Sequence, residues 1–315
     1  MYLSPEQIQN AINTAYTNHA KETGGANADY IPFLKNVDSN LCGLSVVTVD
    51  GQVFSAGDAD TPFAIESISK VCTLALAMND WGQQAIMDKI GVDATGMPFN
   101  SVMALELHGD KPMSPLVNAG AISAASLIKA DSREHRWSRI LQMQSDLTGT
   151  DIQISDELNE SEQTTNFHNR AIAWLLYAAG YLYCEPDEAV DVYTRQCSTL
   201  LTTKALATMG ATIAAGGINP ITNKDVIKEA YCASILAEMT MEGMYDTAGD
   251  WAFTVGLPAK SGVGGGILAV VPGVMAIAGF SPPLDPIGNS VRGQKMVASV
   301  AQTLGFNLYQ CARKR

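Results

Sequence analysis

Strand-forming text sits near the two ends of this 315-residue chain, and the long stretch between them reads as helix. Near the start, GLSVVTVDGQVFSAGD gives two strand-like runs around Asp50-Gly51, the commonest short hairpin signal. Near the far end, GGILAVV and VMAIAGF flank Pro272-Gly273 and predict a second hairpin. From about residue 68 to 250 alanine and leucine recur at helical spacing, as in NRAIAWLLYAAGYLY and TKALATMGATIAAGG. The simplest architecture is an α/β (α+β) fold: an antiparallel sheet built from both chain ends, flanked by helices, with a helical subdomain inserted. One domain is therefore expected over 1–315, with 1–67 plus 251–315 carrying the sheet and 68–250 the helices.

The flanking helices announce themselves by their ends. Ser4, Pro5 and Gln7 supply an N-cap, a proline at the first helical position and a glutamine at N3, ahead of the apolar stripe Ile8, Ala11, Ile12, Ala15 and Tyr16. A closing helix carries Val297, Val300, Ala301 and Leu304 on one face, with Gly305 as its C-cap.

Composition excludes several function classes. A net charge of −12 argues against nucleic-acid binding, and the one basic cluster, Arg313-Lys314-Arg315, reads as a frayed end. The opening MYLSPEQIQNAINTAY has neither a basic n-region nor an uninterrupted apolar run, so no signal peptide is expected. The longest apolar stretch, GILAVVPGVMAIAGF, is too short for a membrane span and is broken by Pro272 and Gly273. The six cysteines show no CxxC pair, which predicts reduced thiols in a cytoplasmic protein. The four histidines are dispersed, which disfavours a metal site and a histidine-based triad, and no cofactor is expected.

Two serine-x-x-lysine matches occur. Ser126 and Lys129 lie in small apolar text and read as an ordinary mid-helix serine with a snorkelling lysine. Ser67 and Lys70, in ESISKVCTLALA, fall at a helix start, where backbone N–H groups favour developing negative charge. At i and i+3 they share a face, which admits a nucleophile and its base and equally an incidental match. AKSGVGGGILAVV is not a phosphate loop: the GxxxxGK[ST] pattern is absent and the glycines precede a strand. It does place Lys260, Ser261 and Gly262 at a strand edge, with small residues that would let a substrate approach, and such a strand accompanies SxxK in acyl-transfer enzymes. Asn118, Glu162, Asn169, Tyr193 and Tyr245 are polar points in otherwise small or apolar text, and Glu162 and Asn169 would share a face if one helix held both.

The segments NADYIPFL, SISK, PLVNAGAI, SEQTTNFHNRAIAWLL, YTRQCS, GLPAKSGVGGGILAVVPGVM and FSPPLDPIGNSVRG together resemble the serine-dependent glutaminase family, across nearly the whole chain. The resemblance implies the fold of serine β-lactamases and penicillin-binding proteins. It also implies hydrolysis of L-glutamine to L-glutamate and ammonia through a γ-glutamyl ester, with a homodimer or homotetramer as the assembly. On it, Ser67 matches the nucleophile and Lys70 its partner. The backbone N–H groups of Ser67 and Val263 match the oxyanion hole, Tyr245 a proton relay, and Tyr30 a tyrosine lining the site. Asn118, Glu162, Asn169 and Tyr193 match the positions that hold the substrate's α-amino and α-carboxylate groups. For Lys70 to act as a base its pKa must come down from about 10.4 toward neutrality, roughly 4 kcal/mol, with burial and Lys260 as candidate causes. KSG in place of KTG and the lack of SDN depart from the β-lactamases. Two other readings remain: a β-lactamase-like acyl-transferase acting on another amide, and an inactive amino-acid sensor.

Overall fold

The structure, a computed structural model, describes residues 3–311, so the terminal basic cluster lies outside the described residues. Its strands are β1 (Gly43–Thr48), β2 (Val53–Gly57), β3 (Phe63–Ala64), β4 (Gln153–Ile154), β5 (Thr199–Leu201), β6 (Ala259–Gly262), β7 (Gly266–Val271) and β8 (Met275–Phe280). Five of them form one antiparallel sheet in the order β2-β1-β8-β7-β6. Both expected hairpins are present. The first turns at Gly51 (φ 86°) and the second at Gly273 (φ 73°), a backbone region open to glycine at little cost. They join along β1 and β8, from Gly43 opposite Phe280 to Thr48 opposite Met275. The two ends of the chain thus share the middle of the sheet.

Every residue of β1, β7 and β8 is buried, because helices cover both faces. That is why these strands read as unbroken apolar runs and not as alternation. On one face lie the terminal helices Pro5–His19 and Val291–Leu304, which bring Ile8, Ile12, Val297 and Val300 onto Leu44, Val46 and Ile277. The first helix carries the full capping box at Ser4 and Gln7, and the last stops on left-handed Gly305.

The opposite face is covered by the helix Thr203–Ala214, which lies within the 68–250 stretch yet packs on β1, β7 and β8. Its small residues have a packing reason: a Cβ on Gly210 would stand 2.6 Å from the Cβ of Ala276. The remaining middle helices gather around Ser69–Trp81, which lies against Asn118–Leu127, Arg133–Thr148 and Glu229–Glu242.

Three local expectations change. The middle of the chain contributes strands, since β4 and β5 lie within it and join β3 in a second, three-stranded sheet. Strands of two or three residues are too short to show a period of two. Glu162 and Asn169 do not share one helix, because the chain breaks between Asp156–Gln163 and Phe167–Ala179. Lys129 lies beyond the end of Asn118–Leu127, where its ammonium donates to the Asp80 carbonyl and sits 4.4 Å from the Trp81 ring.

Candidate active site

Ser67 occupies a single 3₁₀ turn, Glu66–Ile68, that runs directly into the helix Ser69–Trp81. The turn is forced: Glu66 is held at φ 50°, where a side chain is strained. Glycines of the β6–β7 hairpin make room for it. A Cβ on Gly262 would fall 2.7 Å from the Ile65 carbonyl oxygen, and one on Gly264 would fall 2.3 Å from that of Ala64. Gly262 and Gly264 therefore admit the protein's own backbone, while Val263 between them lines the cavity. The two glycines let the KSG strand press against the serine turn.

Lys70, in the first helical turn, is fully buried. Its ammonium donates to Asn118 Oδ1 at 2.7 Å and to the Leu116 carbonyl at 3.4 Å, and no hydrogen bond joins it to Ser67. Burial brings its pKa down to about 8, against the pull of Cys197, Glu66 and Glu242. Lys260 on β6 is also fully buried, donates to the carbonyls of Gly243 and Ser261, and stands 4.5 Å from the Tyr245 ring centre. Burial, then the charge of Lys70, holds it well below the usual lysine range. The charge of Lys70 makes Lys260 the easier of the two to deprotonate, whereas Lys70 itself is lowered by burial and not by Lys260, which corrects the expectation that Lys260 contributes.

Tyr245 is itself strained (φ 52°) and buried, and its hydroxyl has no well-formed hydrogen bond. Burial and Tyr30 push its phenol up, and the neighbouring Ser67 hydroxyl opposes them. Among the described residues neither the Ser67 nor the Val263 N–H finds a hydrogen-bond acceptor, and both residues line the same cavity.

Asn118 links Lys70 to the recognition side. Its Oδ1 also accepts from the Tyr193 hydroxyl at 3.2 Å, and its amide donates to Asn169 Oδ1 at 3.0 Å. These groups face a cavity of about 820 Å³ lined by Tyr30, Ser67, Asn118, Glu162, Asn169, Tyr193 and Val263. Lys70 and Tyr245 stand in the wall behind them. Tyr30 lies at the mouth, 59% exposed.

Residues that sequence reasoning passed over also belong here. Glu66 lines the cavity beside Glu162, is buried, and has one carboxyl oxygen without a partner. Burial, then the charge of Glu162, raises its pKa well above the carboxylate range, while Glu162, chiefly through burial, rises to about 7. Two adjacent carboxyls cannot both ionise cheaply, so the pair holds a proton. The signal was visible as a lone acid inside FAIESISK. Phe99 closes the cavity with its ring 4.7 Å from that of Tyr245 and 5.8 Å from the Lys70 ammonium, and Phe-Asn in a loop carries no comparable signal.

An antiparallel sheet built from both chain ends, with a helical cluster against it and an SxxK serine at their seam, is the β-lactamase-like fold class. Within that class, the family model described as "Glutaminase" matches residues 25–309. The chain is 69% identical over 305 residues to the glutaminase of Desulfovibrio desulfuricans, covering 97% of this chain and 98% of that one. A solved structure described as a probable glutaminase superposes with a TM-score of 0.97 at 66% identity, covering 98% of this chain and all of that one. A covalent complex of Bacillus subtilis glutaminase with 5-oxo-L-norleucine, formed by reaction with 6-diazo-5-oxo-L-norleucine, has a TM-score of 0.84 at 30% identity, covering 96% and 99% of the two chains. This chain belongs to the glutaminase family.

Proposed function

We propose that the protein hydrolyses L-glutamine to L-glutamate and ammonia through a γ-glutamyl ester on Ser67. The observation that carries this is the convergence, at one end of the cavity, of Ser67, the unbonded N–H groups of Ser67 and Val263, and the Tyr245–Lys260–Lys70 group. Ser67 Oγ attacks the side-chain amide carbon, and the oxyanion that forms is held by the two N–H groups, each worth roughly 3 kcal/mol in the transition state. The serine proton passes to Tyr245 Oη as the phenol's own proton moves to the departing nitrogen, so the carbon–nitrogen bond breaks with release of ammonia. With its pKa near 8, Lys70 is neutral in roughly a tenth of molecules at neutrality and can act as a base. Water then attacks the ester by the reverse proton route and frees Ser67.

Glu162 suits the α-ammonium of the substrate, and the amide and phenol donors of Asn118, Asn169 and Tyr193 suit its α-carboxylate. A site with only one of these partners would leave a charge of the amino acid unpaired. Tyr30 covers the mouth.

We infer further that the protein works in the cytoplasm as a homodimer or homotetramer. All six cysteines are free thiols, and no helix among the described residues is long and apolar enough to cross a membrane. The helix Phe167–Ala179 leaves Phe167, Trp174, Leu175 and Tyr177 exposed, an apolar face that fits a second copy.

Treatment with 6-diazo-5-oxo-L-norleucine followed by intact-mass and peptide mapping tests the nucleophile. One adduct on the peptide containing Ser67 is expected; an adduct confined to any other residue would refute the assignment.

A further inference from the structure

A second cavity, of about 280 Å³, lies between the helices Ser69–Trp81, Gln83–Lys89 and Glu229–Glu242, and shares no lining residue with the active-site cavity. Its walls are apolar, from Leu74, Met78, Ile86, Met87, Val92 and Met241. Three methionines give it walls that can repack around differently shaped occupants. Met241, 37% exposed, stands at the rim.

One acid interrupts this lining. Glu238 is 3% exposed. Its Oε2 accepts from Ser114 Oγ at 2.9 Å, and Ser114 Oγ is itself fixed by accepting from the Leu116 N–H at 3.1 Å. The carboxyl is thereby oriented before anything binds. Its other oxygen, Oε1, is buried with no partner. A buried acceptor left unpaired is unfavourable, and the glutamine hydrolysis proposed above does not use this group. Burial, with the charges of Glu242 and Asp93 adding to it, raises the Glu238 pKa to about 7, so the group is ionised in about half of molecules at neutrality, and that ionised form beside two further acids favours a cation.

The geometry points to a binding site for a small primary amine with an apolar tail, whose ammonium donates to Glu238 Oε1 while the tail lies on the methionine-lined wall. An anion is disfavoured by three acids, and a metal ion by the presence of a single available carboxyl oxygen.

The test uses hexylammonium chloride as the probe, with hexan-1-ol as its uncharged analogue, titrated calorimetrically into the full-length protein. Saturable binding of hexylammonium with Kd of about 1 mM or tighter is expected, at least about tenfold tighter than hexan-1-ol. Glu238→Gln should weaken the amine about tenfold and bring it level with the alcohol. Met241→Trp, which fills the rim and leaves Glu238 in place, should abolish binding of both. No saturation by about 10 mM, equal affinity for amine and alcohol in the wild type, or amine binding indifferent to Met241→Trp would overturn the site. The readout is heat of binding, so failure here leaves glutamine hydrolysis untouched.

Discussion

Lys70 gives its shortest hydrogen bond to Asn118, at 2.7 Å, and Asn118 returns that contact to the recognition side through Tyr193 and Asn169. Base and substrate grip are thus joined through one amide. Replacing Asn118 with Ala should strand a buried ammonium and remove a carboxylate donor together. Loss of kcat/KM by about 100-fold or more is expected, with destabilisation of about 1–3 kcal/mol. Urea denaturation and steady-state kinetics measure the two effects; a variant that changed KM alone would separate Lys70 from Asn118.

Lys70 should cost the fold what it gives the chemistry. Its folded pKa, about 8, lies below its ordinary 10.5, so below pH 8 the native state bears the whole cost of burying the charge. That cost amounts to about 3 kcal/mol, with the bond to Asn118 already included in the folded pKa. Lys70→Met should therefore be inactive and yet more stable by about 1–3 kcal/mol at neutrality. As pH rises from about 8 to 10.5 the wild type sheds the proton and the difference should shrink. Unfolding free energies across that range decide it, and a gap that widened with pH would contradict the assignment.

Glu66 and Glu162 should compete for one proton. A neutral Glu66 beside an ionised Glu162 can donate to a substrate carboxylate while Glu162 holds the ammonium; two ionised carboxylates repel that substrate group. Glu66→Gln fixes the neutral, donating form. The ratio of wild-type to Glu66→Gln kcat/KM should fall as pH rises, and the pull of an ionised Glu66 on Lys70, absent from the variant, acts in the same direction. A ratio independent of pH would mean that Glu66 does not titrate in the working range.

Gly264 should tolerate no side chain. Its Cβ would meet backbone 2.3 Å away, at the carbonyl oxygen of Ala64 just ahead of the serine turn. Gly264→Ala is expected to cost about 1–3 kcal/mol and to lower kcat more than KM, because Ser67 is displaced from its donors. Thermal unfolding with kinetics checks it.

How much of this was legible in the sequence follows from range. The capping box at Ser4, the turns at Gly51 and Gly273 and the stop at Gly305 are local chemistry, and they predict their elements directly. The pairing of β1 with β8 needed only the inference that distant hairpins share a sheet. Short strands such as Phe63–Ala64 exist because tertiary contacts hold them, so no period reveals them. In the site, SISK and KSG are visible spacings, whereas the proximity of Lys260 to Tyr245 joins residues on separate elements. Glu66 was missed because strain and a shared proton are properties of the folded turn.

The most direct test of the account is ammonia release from L-glutamine, with L-asparagine alongside, for the wild type and Ser67→Ala. Release from glutamine by the wild type is expected, and none above background from the variant. Full turnover by Ser67→Ala, or glutamine binding without ammonia release by the wild type, would contradict it.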